Sequence, residues 1–471
     1  MLHISTRGEA PAIGFTEALL AGLARDGGLY MPELWPQMAA GDIAALAGRS
    51  YAESATAIIG RLIDGEIAEP DLAPMITAAY ETFRHPAVCP LVQVGDNLFL
   101  LELFHGPTLA FKDVAMQLLA RMMDHVLKQR GTRATIVGAT SGDTGSAAIE
   151  AFRGLDQVDV FVLFPQGRVS EVQRRQMTTV DAPNVHAIAV EGTFDDCQAI
   201  LKGLFNNHPF RDALQLSGVN SINWARIVAQ TVYYFTAAVS LGGPHRPVAF
   251  AVPTGNFGDV LAGYVAKRMG LPIAGFTVAT NANDILARTL AEGSYRLTEV
   301  MPTSSPSMDI QVSSNFERVL FDAYGRDAGE IRRLMARLSQ SGAFTIAEPA
   351  LAAIRKEFSA TAVSEEETAA EIARTWRDAD YLLDPHTAVG LAAARRRHRV
   401  DPAVPTVVLS TAHPAKFPDA VERACGVRPA LPAHLEDLLT RRERFTVLAN
   451  DQGAVETFIR ANARAVKAGA A

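Results

Sequence analysis

The chain has 471 residues, 48% of them apolar and 20% charged, with a formal net charge of -7. That exceeds one ordinary domain, suits a globular protein with a sizeable core, and carries no basic cluster dense enough for nucleic acid; Arg395 to Arg397 merely ends an apolar helix pattern. Three scattered cysteines (Cys89, Cys197, Cys425) without metal-ligand spacing, no charged-then-apolar leader and no bilayer-length apolar run lead us to expect a cytoplasmic protein with no metal, no disulfide framework and no membrane partner.

The first 95 residues read as a mostly helical region. Thr16 is placed to cap a helix through Leu23, Asp26 to Gly28 form a turn, and Leu29 to Met31 a short strand stopped by Pro32. From Asn97 strands alternate with helices. Leu98 to Phe104 is a strand, and a helix from Phe111 carries Val114, Ala115, Leu118, Leu119, Met122, Met123 and Val126 on one face. Thr135 to Ala139, Val158 to Phe164 and Val185 to Val190 are strands, with helices at Ala147 to Phe152 and through Leu204. Ala225 to Leu241 is a long apolar helix.

The alternation resumes with strands Val248 to Val252 and Ile273 to Ala279 around a helix through Met269. Residues 283–376 read as a mostly helical insertion. Tyr381 to Leu383 and Thr406 to Leu409 are strands flanking a helix from Ala388. Repeated βα alternation predicts an α/β protein of two parallel-sheet domains. The division expected is 1–95, a Lys112-bearing domain 96–242, and a phosphate-binding domain 243–471 with the boundary near Gly242 to Pro244.

Four segments carry chemistry. In Thr135 to Gly145 and in Val248 to Asp259 a strand runs into a glycine-rich turn and then a helix. Glycines permit tight turns and close backbone approach, and free amides at a helix start face an anion. Neither loop is a Walker loop or a dinucleotide fingerprint, and either alone reads equally well as an ordinary βα turn. In Glu102 to Asp113, Lys112 opens an apolar helix, where the helix field favours neutral amine, the nucleophile of Schiff-base chemistry; taken alone, the segment reads more readily as carrying an exposed surface lysine. In Val407 to Phe417 a strand ends in Ser410 and Thr411, hydroxyls able to meet a heteroaromatic nitrogen or simply to cap the next helix.

Taken in this order, the four segments resemble threonine synthases of the fold type II pyridoxal-phosphate (PLP) enzymes, in their microbial, non-plant-type branch. Ser5 to Gly8, Asp26 to Tyr30, Asn220 to Arg226, Met308 to Arg318 and Asp384 to Gly390 agree as well, so the resemblance runs from about Ser5 to Phe417. It implies that Lys112 holds PLP, that Gly255, Asn256, Phe257 and Gly258 cradle its phosphate, and that Thr411, with Ser410 beside it, faces the pyridine nitrogen. Ser141, Gly142, Asp143 and Thr144 match the loop that takes the substrate carboxylate, with Asp143, where many relatives carry Asn, near the ring hydroxyl. Asn223 and Arg226 are candidate substrate-binding groups; Arg226 either clamps a phosphate or ties two domains through an ion pair. His386 and His413 are read as fixing local structure.

The reaction implied converts O-phospho-L-homoserine and water to L-threonine and phosphate, in a monomer or small homo-oligomer. A serine or threonine dehydratase would share Lys112 and the loops without needing a second phosphate site. A catalytically silent, metabolite-binding relative would have no use for Lys112.

Overall fold

The computed structural model describes residues 1–140 and 142–465. His3–Ser5 (β1) and Tyr30–Pro32 (β2) pair antiparallel at the N-terminus. Leu91–Gly95 (β3) and Leu98–Glu102 (β4) follow, then Ala134–Ala139 (β5), Val158–Pro165 (β6), Val185–Glu191 (β7) and Leu216–Ser217 (β8). The later strands are Val248–Pro253 (β9), Ile273–Thr280 (β10), Ser294–Arg296 (β11), Ala343–Thr345 (β12), Phe358–Ala362 (β13), Thr406–Ser410 (β14) and Thr446–Ala449 (β15).

Two large sheets result. One has the order β13-β10-β9-β14-β4-β3 and is parallel except for the β3–β4 pair; the other, β15-β7-β6-β5-β8, is parallel throughout. β6, β9 and β14 are buried at every position, as strands covered on both faces must be. The long apolar segment forms the helix Trp224–Ser240, whose buried residues run all round it, from Trp224 to Ala238. Such a helix belongs in an interior, and it packs against the helices Lys112–Arg130 and Gly258–Arg268.

Sheet membership crosses the boundaries expected at 95/96 and 242/243. β4, from the middle segment, lies in the six-stranded sheet, and β15, from the last segment, closes the edge of the five-stranded one. A contiguous division cannot register a chain that returns to a sheet it has left. The insertion 283–376 is not wholly helical either: β13 adds to the sheet edge beside β10. Tyr381 to Leu383 form no strand; they link the helices Glu365–Ala379 and Pro385–His398, the second capped by Asp384. Thr16 is not a cap. The helix is Phe15–Ala21, and its first amides meet Glu66 instead, Thr16 N at 2.9 Å.

Candidate active site

The loops leaving the carboxyl ends of β4, β9 and β14, three neighbouring strands, converge with the loop leaving β5 of the other sheet. This is where open parallel sheets bind ligands. Between them lies a cavity of about 390 Å³ whose wall includes Lys112, Asp143, Arg226, Gly255, Gly258 and Thr411. Thr144, Asn256 and Phe257 also line it.

Lys112 is the first residue of its helix and is buried, with Nζ 3.5 Å from Oδ2 of Asp143. Burial pulls its ammonium below the ordinary lysine range. Asp143 and Asp259 oppose that pull, while Arg226 and Lys416 add to it. The turn that presents it is held by Asp113, whose carboxylate accepts from Thr108 N and Oγ1, both at 2.7 Å. Leu109 in that turn has φ 62°, a left-handed conformation that a leucine adopts only under constraint.

The glycine loop after β9 puts Phe257 in the left-handed region at φ 62° and starts a helix at Gly258. A Cβ on Gly255 would lie 2.7 Å from the carbonyl oxygen of Ser307. The loop is braced from behind: Ser313 Oγ donates to Gly255 O at 2.7 Å, and Asn315 N and Nδ2 donate to Asn256 O at 3.1 and 3.0 Å. The Phe257 ring is buried against Phe316 and Phe358.

Arg226 is buried on the cavity wall, and among the described residues its side chain's single hydrogen bond is Nη1 to Val219 O at 3.3 Å, with Nε left without a partner. Among the described residues no carboxylate lies within ion-pair distance of it. Burial pulls this guanidinium down to about 10, against the charge of Asp259. Asp259, bonded by the Tyr233 hydroxyl, is pushed up to about 6 by burial, against that bond and the charges of Lys112 and Arg226.

Other expected site residues fall elsewhere. Asn223 does not line the cavity: its Oδ1 accepts from Ala225 N at 3.0 Å and its Nδ2 donates to Leu19 O at 2.9 Å, so it caps the central helix. Ser410 is buried with its hydroxyl 3.2 Å from that of Thr387, so that of this pair only Thr411 lines the wall. Gly142 precedes the helix Asp143–Phe152 at φ 146°, and Ser141 lies outside the described residues. His386, by contrast, is on the cavity wall, bonded to Asp384 through Nδ1 at 2.9 Å and accepting from Ser307 N through Nε2 at 3.2 Å, whereas His413 lies off it and accepts from Ala415 N at 3.1 Å.

Sequence reasoning missed Lys416, Gln173 and Ser307, all three of which touch Asp143. Lys416 belongs to the segment Val407 to Phe417, and a lysine between Ala415 and Phe417 was the available signal.

An amine on the wall, an amide-rich loop that a Cβ would obstruct, an orphaned buried guanidinium nitrogen and a hydroxyl at a strand end fit the donor set that a phosphorylated aldehyde cofactor needs. The comparisons agree. Models of "Pyridoxal-phosphate dependent enzyme" (residues 90–412), "Threonine synthase N terminus" (2–80) and "Threonine synthase, C-terminal" (387–459) match the chain. A threonine synthase of Pseudomonas aeruginosa is 53% identical over 460 residues, 98% of each chain. The crystal structure of PLP-bound threonine synthase from Brucella melitensis superposes with a TM-score of 0.96 at 63% identity, covering 98% of this chain and 100% of that one. The yeast threonine synthase structure gives 0.93 at 41%, covering 98% of each chain. Fold and site thus define a pyridoxal-phosphate-dependent α/β enzyme. Within that class, the chain belongs to the threonine synthase family.

Proposed function

We propose that this cavity converts O-phospho-L-homoserine and water to L-threonine and phosphate, with PLP held on Lys112. The observation that carries the reading is a buried lysine and an amide-rich loop on one cavity wall with a buried guanidinium whose Nε has no partner among the described residues. When bound, PLP supplies an electron sink for carbanion chemistry at the substrate carbons.

The protein's own groups do the rest. Gly255 to Gly258 offer backbone amides at a helix start to the cofactor phosphate, and Phe257 fixes that loop by its buried ring. Thr411 would offer the cofactor ring a hydroxyl rather than a carboxylate, and Asp143 would approach it from the loop of the other sheet. Thr144, the residue of that loop on the cavity wall beside Asp143, takes the substrate carboxylate. Lys112 would move protons at the substrate Cα and Cβ, a role for which burial lowers its pKa. Arg226 is the cation for the leaving phosphate, since a buried guanidinium without a carboxylate partner is matched to an incoming dianion.

A dehydratase has no need of that second cation, which is why Arg226 favours the phosphorylated substrate. Three free cysteines suit a reducing cytoplasm. No helix among the described residues is long and apolar enough to cross a membrane. We read the protein as a monomer or small homo-oligomer without nucleic-acid partners. The deciding experiment measures phosphate release from O-phosphohomoserine with threonine identified as product. Efficient deamination of serine or threonine with no phosphate released would overturn the reading.

A further inference from the structure

Lys416 is fully buried, and its ammonium has three acceptors: Thr108 O at 2.6 Å, Gln176 Oε1 at 2.9 Å and Asp143 Oδ1 at 3.0 Å. It does not line the cavity. Each of its three contacts leads back to Lys112. Thr108 belongs to the turn that Asp113 clamps immediately before Lys112, and Gln176 reinforces the same point by donating to Thr108 O at 3.0 Å. Asp143 is the carboxylate that faces the Lys112 amine.

The two oxygens of Asp143 are divided. Oδ1 is committed to Lys416 and to Gln173 Nε2 at 2.8 Å. Gln173 and Gln176 lie one turn apart on the helix Glu171–Thr178, so a single helix face supports both lysine and carboxylate. Oδ2 is left for Lys112 at 3.5 Å and Ser307 Oγ at 3.4 Å.

We propose that Lys416 is a positioning residue for Lys112: it fixes Asp143 so that Oδ2 alone faces the amine, and through that carboxylate it sets how firmly the Lys112 nitrogen holds its proton. Burial by itself would push the Asp143 carboxyl up; Lys416, then Lys112 and Gln173, hold it far below the usual range, so it stays ionised. The charged groups facing Lys112 are Asp143, Lys416, Arg226 and Asp259. Those facing Asp143 also include His386, and Asp113 faces Lys416. Lys112, Lys416 and Asp143 together carry one net positive charge when both lysines are protonated. Removing Lys416 gives Lys112 the whole of the Asp143 charge and removes a like charge, so the nitrogen of Lys112 holds its proton to higher pH.

This inference rests on Lys112 carrying PLP, and the test separates the two. The holoenzyme is titrated with pH while the visible absorption of its cofactor is followed. Lys416→Met should move the midpoint upward by on the order of one unit, the size of shift that one neighbouring charge produces, and Lys416→Arg should restore it toward wild type. Lys416→Gln, which keeps a donor for Thr108 O, carries the same expectation where the methionine variant does not fold. In an Asp143→Asn background the effect of replacing Lys416 should shrink. A variant lacking the Lys416 charge that titrates with the wild-type midpoint, with only its melting temperature lowered, overturns the proposal. A full-sized shift in the Asp143→Asn background overturns its route through the carboxylate. Borohydride trapping that labels a lysine other than Lys112 would instead overturn the underlying reading.

Discussion

Nζ of Lys112 lies 3.5 Å from Oδ2 of Asp143, although the two residues follow strands of different sheets, β4 and β5. The contact spans the cleft between the sheets, so the amine chemistry of one loop depends on the charge of another. In a buried pair of this kind each partner sets the other's protonation. That dependence is what makes the site's response to pH and to substitution testable.

Reduction of the loaded enzyme with borohydride, followed by peptide mapping, should place the pyridoxyl group on Lys112. Lys416 is the second buried lysine beside Asp143, but its ammonium is bonded on three sides and does not reach the cavity wall. Lys112→Ala should lower turnover by at least roughly 10²–10⁴-fold, the range of a lost general acid-base group. A label on Lys416, or near wild-type turnover in Lys112→Ala, would reject the assignment.

The glycine loop gives two substitutions with different expectations. At Gly258 an added Cβ meets nothing closer than Asn315 Nδ2 at 3.7 Å, so Gly258→Ala should keep the apoprotein's melting temperature. At Gly255 the Cβ would sit 2.7 Å from Ser307 O, so Gly255→Ala must displace the segment around Ser307. Equilibrium binding of PLP should weaken in both, but only Gly255→Ala should also lower the melting temperature. Unchanged PLP affinity in both variants would count against the loop as the phosphate cradle.

Much of this architecture was legible in the sequence because its signals are local. The strands β5, β6, β9 and β10 read as short apolar runs, and the helix from Lys112 as a periodic face. Sheet membership was not legible, since β4 and β15 join strands far away in the chain. The same limit applied to the site. Lys112, the Gly255 loop and Thr411 stand in motifs, whereas the Lys416–Asp143 contact joins residues 273 positions apart in sequence (416 minus 143). Asn223, read as a substrate-binding candidate from its motif beside Arg226, is engaged as a helix cap, a role that the motif alone does not reveal. Tyr381 to Leu383 misled because an apolar triplet carries no information on whether a strand lies alongside it.

Asp259 gives the apoprotein a pH signature. Its carboxyl is pushed up to about 6 by burial, above its ordinary value of 3.8. A group whose folded pKa is raised binds its proton more tightly in the folded state. Its contribution is fully present below pH 3.8 and is lost as pH rises through 6. Asp259→Asn, which still accepts from the Tyr233 hydroxyl, should therefore be more stable than wild type at pH 7 by on the order of 1–3 kcal/mol. The difference should vanish near pH 4. Chemical denaturation of the two apoproteins at both pH values measures it, and equal stability at pH 7 would contradict the buried, charged state inferred for Asp259.

In the proposed reaction Arg226 is the group that would separate the phosphorylated substrate from the simple hydroxy amino acids. Burying a guanidinium costs desolvation, and the one carbonyl bond to Val219 offsets little of that cost. Such a residue is kept for what it binds. Losing a charge-assisted contact to the leaving phosphate costs roughly 1.5–3 kcal/mol, or about ten-fold to a hundred-fold in kcat/KM. Arg226→Met should therefore depress kcat/KM for O-phosphohomoserine by that factor while the apoprotein melts at the wild-type temperature or above it. A residue serving as a structural tie would behave in the opposite way, with a lower melting temperature and full specific activity in the folded fraction. Inorganic phosphate adds a second readout: as a product inhibitor it should bind wild type at least ten-fold more tightly than Arg226→Met. Equal inhibition of the two proteins would remove Arg226 from the substrate phosphate site and leave its unpaired Nε to be accounted for by the cofactor's own phosphate.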